Sequence, residues 1–156
     1  MNTVAAHLNI GRSTLYRWVG DREKLIDHAI LECITEIWVD ARRTARGDGL
    51  ERVLDAADRF MHGCIAYEPL TSFARREPNL AQRVLLDPDG LVNTARRTSL
   101  LHATASAAPH LEVPPETFGV LGMTATALVW ANVAADREPD ITATIDIMRT
   151  VLSAHA

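Results

Sequence analysis

Apolar residues in this 156-residue chain return at intervals of three and four almost from end to end, and no stretch shows the strict alternation of a half-buried strand. That periodicity confines the chain to the all-α class, with helices separated by Gly, Pro, Asn and Asp. Residues 3–8 read as a short helix with Val4, Ala5 and Leu8 inward. Asn9 tolerates a left-handed backbone, so Asn9-Ile10-Gly11 turns the chain while Ile10 plugs the core beneath. Residues 12–18 form a second short helix. Asp21 is a good N-cap for a third, which runs to about Arg46 with Leu25, Ile26, Ala29, Cys33, Ile37 and Ala41 inward. Gly47-Asp48-Gly49 stops it and divides a head, residues 1–46, from a body, residues 50–156.

In the body, residues 50–68 carry Leu50, Val53, Leu54, Ala57, Phe60, Met61, Cys64 and Ile65 on one face, and Pro69 is expected to end that helix. Two short helical pieces follow, residues 71–76 and 79–86, parted by Pro78. Asp87-Pro88-Asp89-Gly90 is a turn. Helices over residues 91–107, 116–135 and 141–154 complete the chain.

Residues 118–135 contain no charge and approach the length of a bilayer span. They are Ala-rich and hold Thr124, Thr126 and Asn132, which transfer poorly into lipid, so the segment reads as a buried helix with no membrane partner. Its apolar residues form two stripes, and the final helix is similarly apolar on two sides. Such helices must be covered all round. Either both are central in one protomer, or they pair with a second copy in a two-fold four-helix interface. The homodimer residues expected on the second reading are Phe118, Leu121, Gly122 and Ala125, with Ile145, Met148 and Leu152.

No phosphate loop, nucleophile elbow or paired metal-ligand motif occurs in the sequence, so no enzymatic activity, cofactor or metal is expected. His62 and Cys64 are two apart and cannot share a helix face. Cys33 and Cys64 make neither a disulfide framework nor a zinc motif; they read as core thiols of a cytoplasmic protein. No secretory leader pattern follows Met1.

Charge is unevenly spread. The first 24 residues hold four cations, Arg12, Arg17, Arg22 and Lys24, against Asp21 and Glu23, whereas the remainder is acidic within a net charge of −4. A basic head on an acidic body suits a protein that meets phosphates at one end. Two short helices joined by a tight turn and backed by a third have the layout of a helix-turn-helix, whose second helix enters the major groove. In that helix Leu15 points inward. Arg12 and Arg17 can reach guanine edges or phosphates, Thr14 a thymine methyl or a phosphate, and Tyr16 a phosphate oxygen. A solvated surface helix bearing arginines fits the same pattern.

The run from Asn9 to Leu25 resembles the signature of the tetracycline-repressor (TetR) family: Thr14-Leu15-Tyr16 and Arg22-Glu23-Lys24-Leu25 match at the right separation. The close resemblance spans roughly the first 45 residues, and its Leu15-to-Gly20 form is similar to the branch of quorum-signal-degradation regulators. It implies that Thr14, Tyr16 and Arg22 lie near phosphates and that Arg12, Ser13 and Arg17 face bases or backbone. It further implies a dimeric regulator, repressor in type, that binds operator double-stranded DNA and is released by a small, mostly apolar effector. Asn9 stands where the family has Gly, Val19 where it has Phe, and no counterpart of the family's first helix precedes Thr3. A helical ligand-binding module without DNA binding is the other reading.

An effector pocket is expected among the helices over residues 50–68, 91–107 and 116–135, lined by Phe60, Cys64, Tyr67, Phe73, Thr98, His102, Thr126 and Trp130. His102 shares a face with Val92, Ala95 and Ser99, as a satisfied structural histidine or as a polar ligand contact.

Overall fold

Helix-forming runs and their punctuation give nine helices and no strand among the described residues, 1–155, of the computed structural model. Ala156, the last residue of the expected body, lies outside them. In order they are α1 (Asn2–His7), α2 (Arg12–Val19), α3 (Arg22–Thr44), α4 (Gly49–Ala66), α5 (Glu68–Arg76), α6 (Pro78–Leu86), α7 (Leu91–Ala107), α8 (Pro115–Ala134) and α9 (Ile141–Ser153).

The stops and starts have local causes. The Asp21 carboxylate accepts a hydrogen bond from the Lys24 N–H at 2.9 Å and starts α3; the Asp140 carboxylate does the same for α9 through the Ala143 N–H at 2.8 Å. Between α3 and α4, Gly47 and Gly49 take positive φ of 81° and 56°. The Asp55 carboxylate ties this corner down by accepting from the Arg46 N–H at 2.8 Å and from Arg59 Nε at 2.6 Å. Prolines behave differently from the sequence expectation. Pro69 does not end α4, which stops at Ala66; it lies in the first turn of α5, where its missing N–H has no helical partner to lose. Pro78 and Pro115 occupy the same kind of position in α6 and α8.

The core is built around α4, which packs on α3, α5, α7 and α9. Its inward row, Val53, Leu54, Ala57, Met61 and Cys64, is the predicted one. It meets Ile30 and Ile34 of α3, Val92 and Leu100 of α7, and Met148 and Leu152 of α9. The inward face of α3 is displaced from expectation: Ile30, Ile34 and Ala41 are buried, Cys33 is half-buried and Ala29 is exposed. The larger branched chains win the contact with α4. Gly63 sets the separation there, because a Cβ at that position would come within 2.7 Å of Ile37 Cγ2. At the α6–α7 corner the buried Asn93 amide donates to the Leu85 carbonyl at 3.1 Å and to the Asp87 carbonyl, which holds the turn.

Leu54 is 1% exposed at the centre of this packing. Leu54→Ala is expected to cost about 2–5 kcal/mol of unfolding free energy in urea denaturation. A loss under about 1 kcal/mol would place the core elsewhere.

Candidate functional site

The head is organised by two buried side chains, Ala5 of α1 and Leu15 of α2, each 2% exposed. Between them Asn9 takes the left-handed backbone, φ 53°, and the Ile10 N–H bonds the Ala5 carbonyl at 3.0 Å, closing the turn as expected. Gly20, φ 78°, ends α2 and leads into the Asp21 cap of α3. Helical geometry puts Ser13 and Arg17 at the centre of the α2 face opposite Leu15. Arg12, Ser13, Tyr16 and Arg17 are all exposed and Thr14 is half-buried.

Two findings depart from expectation. Val4 and Leu8 are exposed rather than inward, and Trp18 stands 65% exposed at the end of α2, so this helical pair keeps an open apolar flank. Arg22 is already engaged. Its guanidinium donates in bidentate fashion to the Glu77 carboxylate, at 2.7 and 2.5 Å, across the gap to the α5–α6 corner. The bond holds the Glu77 carboxyl below its ordinary range. Arg83 of α6 reaches Glu23 at 3.5 Å beside it, a second strap from the body to the start of α3.

In the body, α3, α4, α7 and α8 line a partly open cavity of about 110 Å³, with Leu70 of α5, Leu85 of α6 and Met148 of α9 contributing to its wall. Most of the lining is apolar. Trp38 meets Phe60 edge-on, ring centroids 5.5 Å apart, and Trp130 lines the same space. Of the residues expected here, Phe60, Cys64, Thr126 and Trp130 line the cavity. The other four do not. Thr98 and His102 are exposed on α7, Tyr67 is exposed beyond the end of α4 with its hydroxyl 3.7 Å from Cys33 Sγ, and Phe73 packs against the core outside the cavity. The reason is the pitch of α7: its inward row steps by four through Val92, the half-buried Arg96 and Leu100 and continues to Ala103 and Thr104, which turns His102 outward.

That row contains the group missed in the sequence, Arg96. Its guanidinium lies against the cavity, donates through one terminal nitrogen to Thr126 Oγ1, and leaves its buried Nε without a partner. Among the described residues no carboxylate pairs with it. Burial pulls its pKa down to about 10, so it stays charged at neutral pH. Burial also pushes the neighbouring Cys64 thiol up to about 12, so that group is neutral and supplies no counter-charge. The Thr126 hydroxyl donates a hydrogen bond to the Gly122 carbonyl at 2.9 Å, which leaves its oxygen lone pairs to accept from Arg96.

Gly122 takes a role different from the expected one. A Cβ there would meet Arg96 Nε at 2.9 Å, so the missing side chain makes room for the guanidinium inside the protomer. The other expected dimer residues also face inward. Phe118, Leu121, Ile145, Met148 and Leu152 are buried in the core, and Ala125 lines the cavity. The stripe assigned to a second copy is the one that α4, α5, α6 and α7 cover. Exposed apolar side chains on these helices are instead Val120, Leu128 and Ile147. Only a third of the apolar α8 is buried in the protomer, although by length and composition it could cross a membrane.

A largely buried cation without a counter-ion is a stability defect. Arg96→Met, which keeps an apolar stem and removes the charge, is expected to raise the stability of the ligand-free protein in urea denaturation. Destabilisation instead would mean that the guanidinium is satisfied.

Comparison with known proteins agrees with this geometry. The family model described as the tetracyclin repressor-like C-terminal domain matches residues 48–153. No curated protein matches the chain. Among solved structures, the transcriptional repressor QsdR of R. erythropolis, a TetR-family protein, is similar with a TM-score of 0.79 and 25% sequence identity, over 97% of this chain and 83% of that one. With its family model spanning most of its length and its helices following those of a solved repressor, this chain belongs to the tetracycline-repressor family.

Proposed function

We propose that this chain is a cytoplasmic transcriptional repressor that binds operator double-stranded DNA as a homodimer and is released by a small, mostly apolar effector. The observation that carries this reading is the course of α3. Its first turn is capped directly behind α2, and its middle lines the cavity through Ile34, Thr35 and Trp38. A ligand that repacks the cavity therefore acts on the same element that carries the reading head. In a dimer, tilting α3 changes the separation of two heads that must match half-sites about 34–36 Å apart, or a multiple of that. The effector works only by binding one head spacing better than the other. Family membership and the likeness to a solved transcriptional repressor support the reading.

On DNA, Ser13 and Arg17 face base edges, with Arg12 beside them, while Thr14 and Tyr16 bond phosphates. Arg22 joins the phosphate contacts only on leaving Glu77. The second copy, rather than lipid, covers α8 and α9 through Val120, Leu128 and Ile147. A second reading, a ligand-binding module without DNA binding, draws on the open apolar flank at Val4, Leu8 and Trp18.

Fluorescence anisotropy with DNA from upstream of the protein's own gene separates the two. Arg17→Ala is expected to cost about 1–3 kcal/mol on the best site and to relax preference at one position. Tyr16→Phe should weaken all sequences alike. Absence of specific binding, with neither variant differing from the parent, favours the module. The dimer has its own test. Leu128→Arg places an unpaired charge at the proposed interface and should yield monomers in sedimentation; a parent protein that sediments as a monomer at micromolar concentration contradicts the interface.

A further inference from the structure

We propose that the effector is a compact monocarboxylate, its apolar body among Trp38, Phe60 and Trp130 and its carboxylate accepting hydrogen bonds from the Arg96 guanidinium. The inference rests on the ligand-sensing reading above and names the chemistry of that site.

Three observations converge on a single negative charge. Arg96 is the only cation among the cavity's lining residues, and no Asp or Glu lines it. Its Nε is buried and lacks a partner, and Gly122 leaves the guanidinium room to shift, because a Cβ there would come within 2.9 Å of that nitrogen. A guanidinium presents its donors as a planar fork that matches a carboxylate. Ser99, one turn along α7 at i+3, lines the same wall and offers a further hydroxyl donor. One positive charge in an apolar wall is neutralised by a monoanion; a dianionic phosphate would leave a net negative charge in the same surroundings.

Size sets the other limit. A cavity of about 110 Å³ is somewhat smaller than the roughly 150 Å³ that accepts benzene, so it suits a body of a few carbons, or of somewhat more once the walls move. Hexanoate is a suitable probe, with hexan-1-ol and hexanamide as neutral partners of matched length.

The test is calorimetry and thermal shift of the full chain with these three compounds. For the parent protein, hexanoate is expected to bind at least about tenfold more tightly than either neutral compound. Arg96→Met should abolish that preference while the alcohol still binds. Arg96→Gln, neutral but polar, gives the same readout if the Met variant does not fold. Equal affinity for hexanoate and hexan-1-ol, or a preference that survives loss of the guanidinium, overturns the inference. Binding of the neutral compounds without hexanoate also overturns it and leaves the sensor reading standing. If none of the three binds, both fall.

Discussion

The packing of α3 on α4 is the constraint on which the remaining arrangement depends. Ile30 and Ile34 seat α3 against the central helix, and Gly63 leaves room for the Ile37 side chain, whose Cγ2 would lie 2.7 Å from any Cβ placed there. A helix of 23 residues is about 35 Å long, so one continuous rod spans from the helix-turn-helix head to the cavity wall. Its N-terminal end is held by the Asp21 cap and by two straps to the α5–α6 region, Arg22 to Glu77 and Arg83 to Glu23. Those straps are exposed and individually weak. The apolar seat in the middle is strong. On the proposed reading, a rod held firmly at its middle and loosely at one end would carry a change at the cavity to the head.

Much of the fold was legible because helical period and helix punctuation are local properties. The inward row of α4, the left-handed Asn9, the Asp21 cap and the Leu15 anchor all follow from residue chemistry within a few positions. Pro69 reads as a stop where it is a start, since the same ring fits the first turn of a helix and the residue after one. The side of α8 was harder still. A helix apolar on all faces carries no periodic signal of which face turns inward, and the stripe of Phe118, Leu121 and Gly122 proved to be core while Val120 and Leu128 proved to be surface.

The cavity was half legible for a related reason. Aromatic and small residues on α4 and α8 pointed to it correctly, but Arg96 was passed over because an arginine on a helix ordinarily snorkels to solvent. The available signal was its position: it sits midway between Val92 and Leu100 on a row of fours, a charge interrupting an otherwise buried line. His102 shares its row with Ala95 and Ser99, which do line the cavity, but seven and three residues beyond them it has rotated off that face and stands exposed. A buried charge without a counter-ion costs stability. On the proposed reading, its place in the wall of an apolar cavity would tie the stability of this body to the anion it holds.

Coupling between cavity and head is the central claim, and the chain's three tryptophans sample both ends: Trp38 and Trp130 line the cavity while Trp18 stands exposed on α2. Fluorine NMR of protein labelled with 5-fluorotryptophan, titrated with hexanoate, reads all three at once. Saturable shifts of Trp38 and Trp130 accompanied by a shift of Trp18 with the same midpoint are predicted. Shifts confined to Trp38 and Trp130, with Trp18 unmoved at saturation, would contradict transmission along α3.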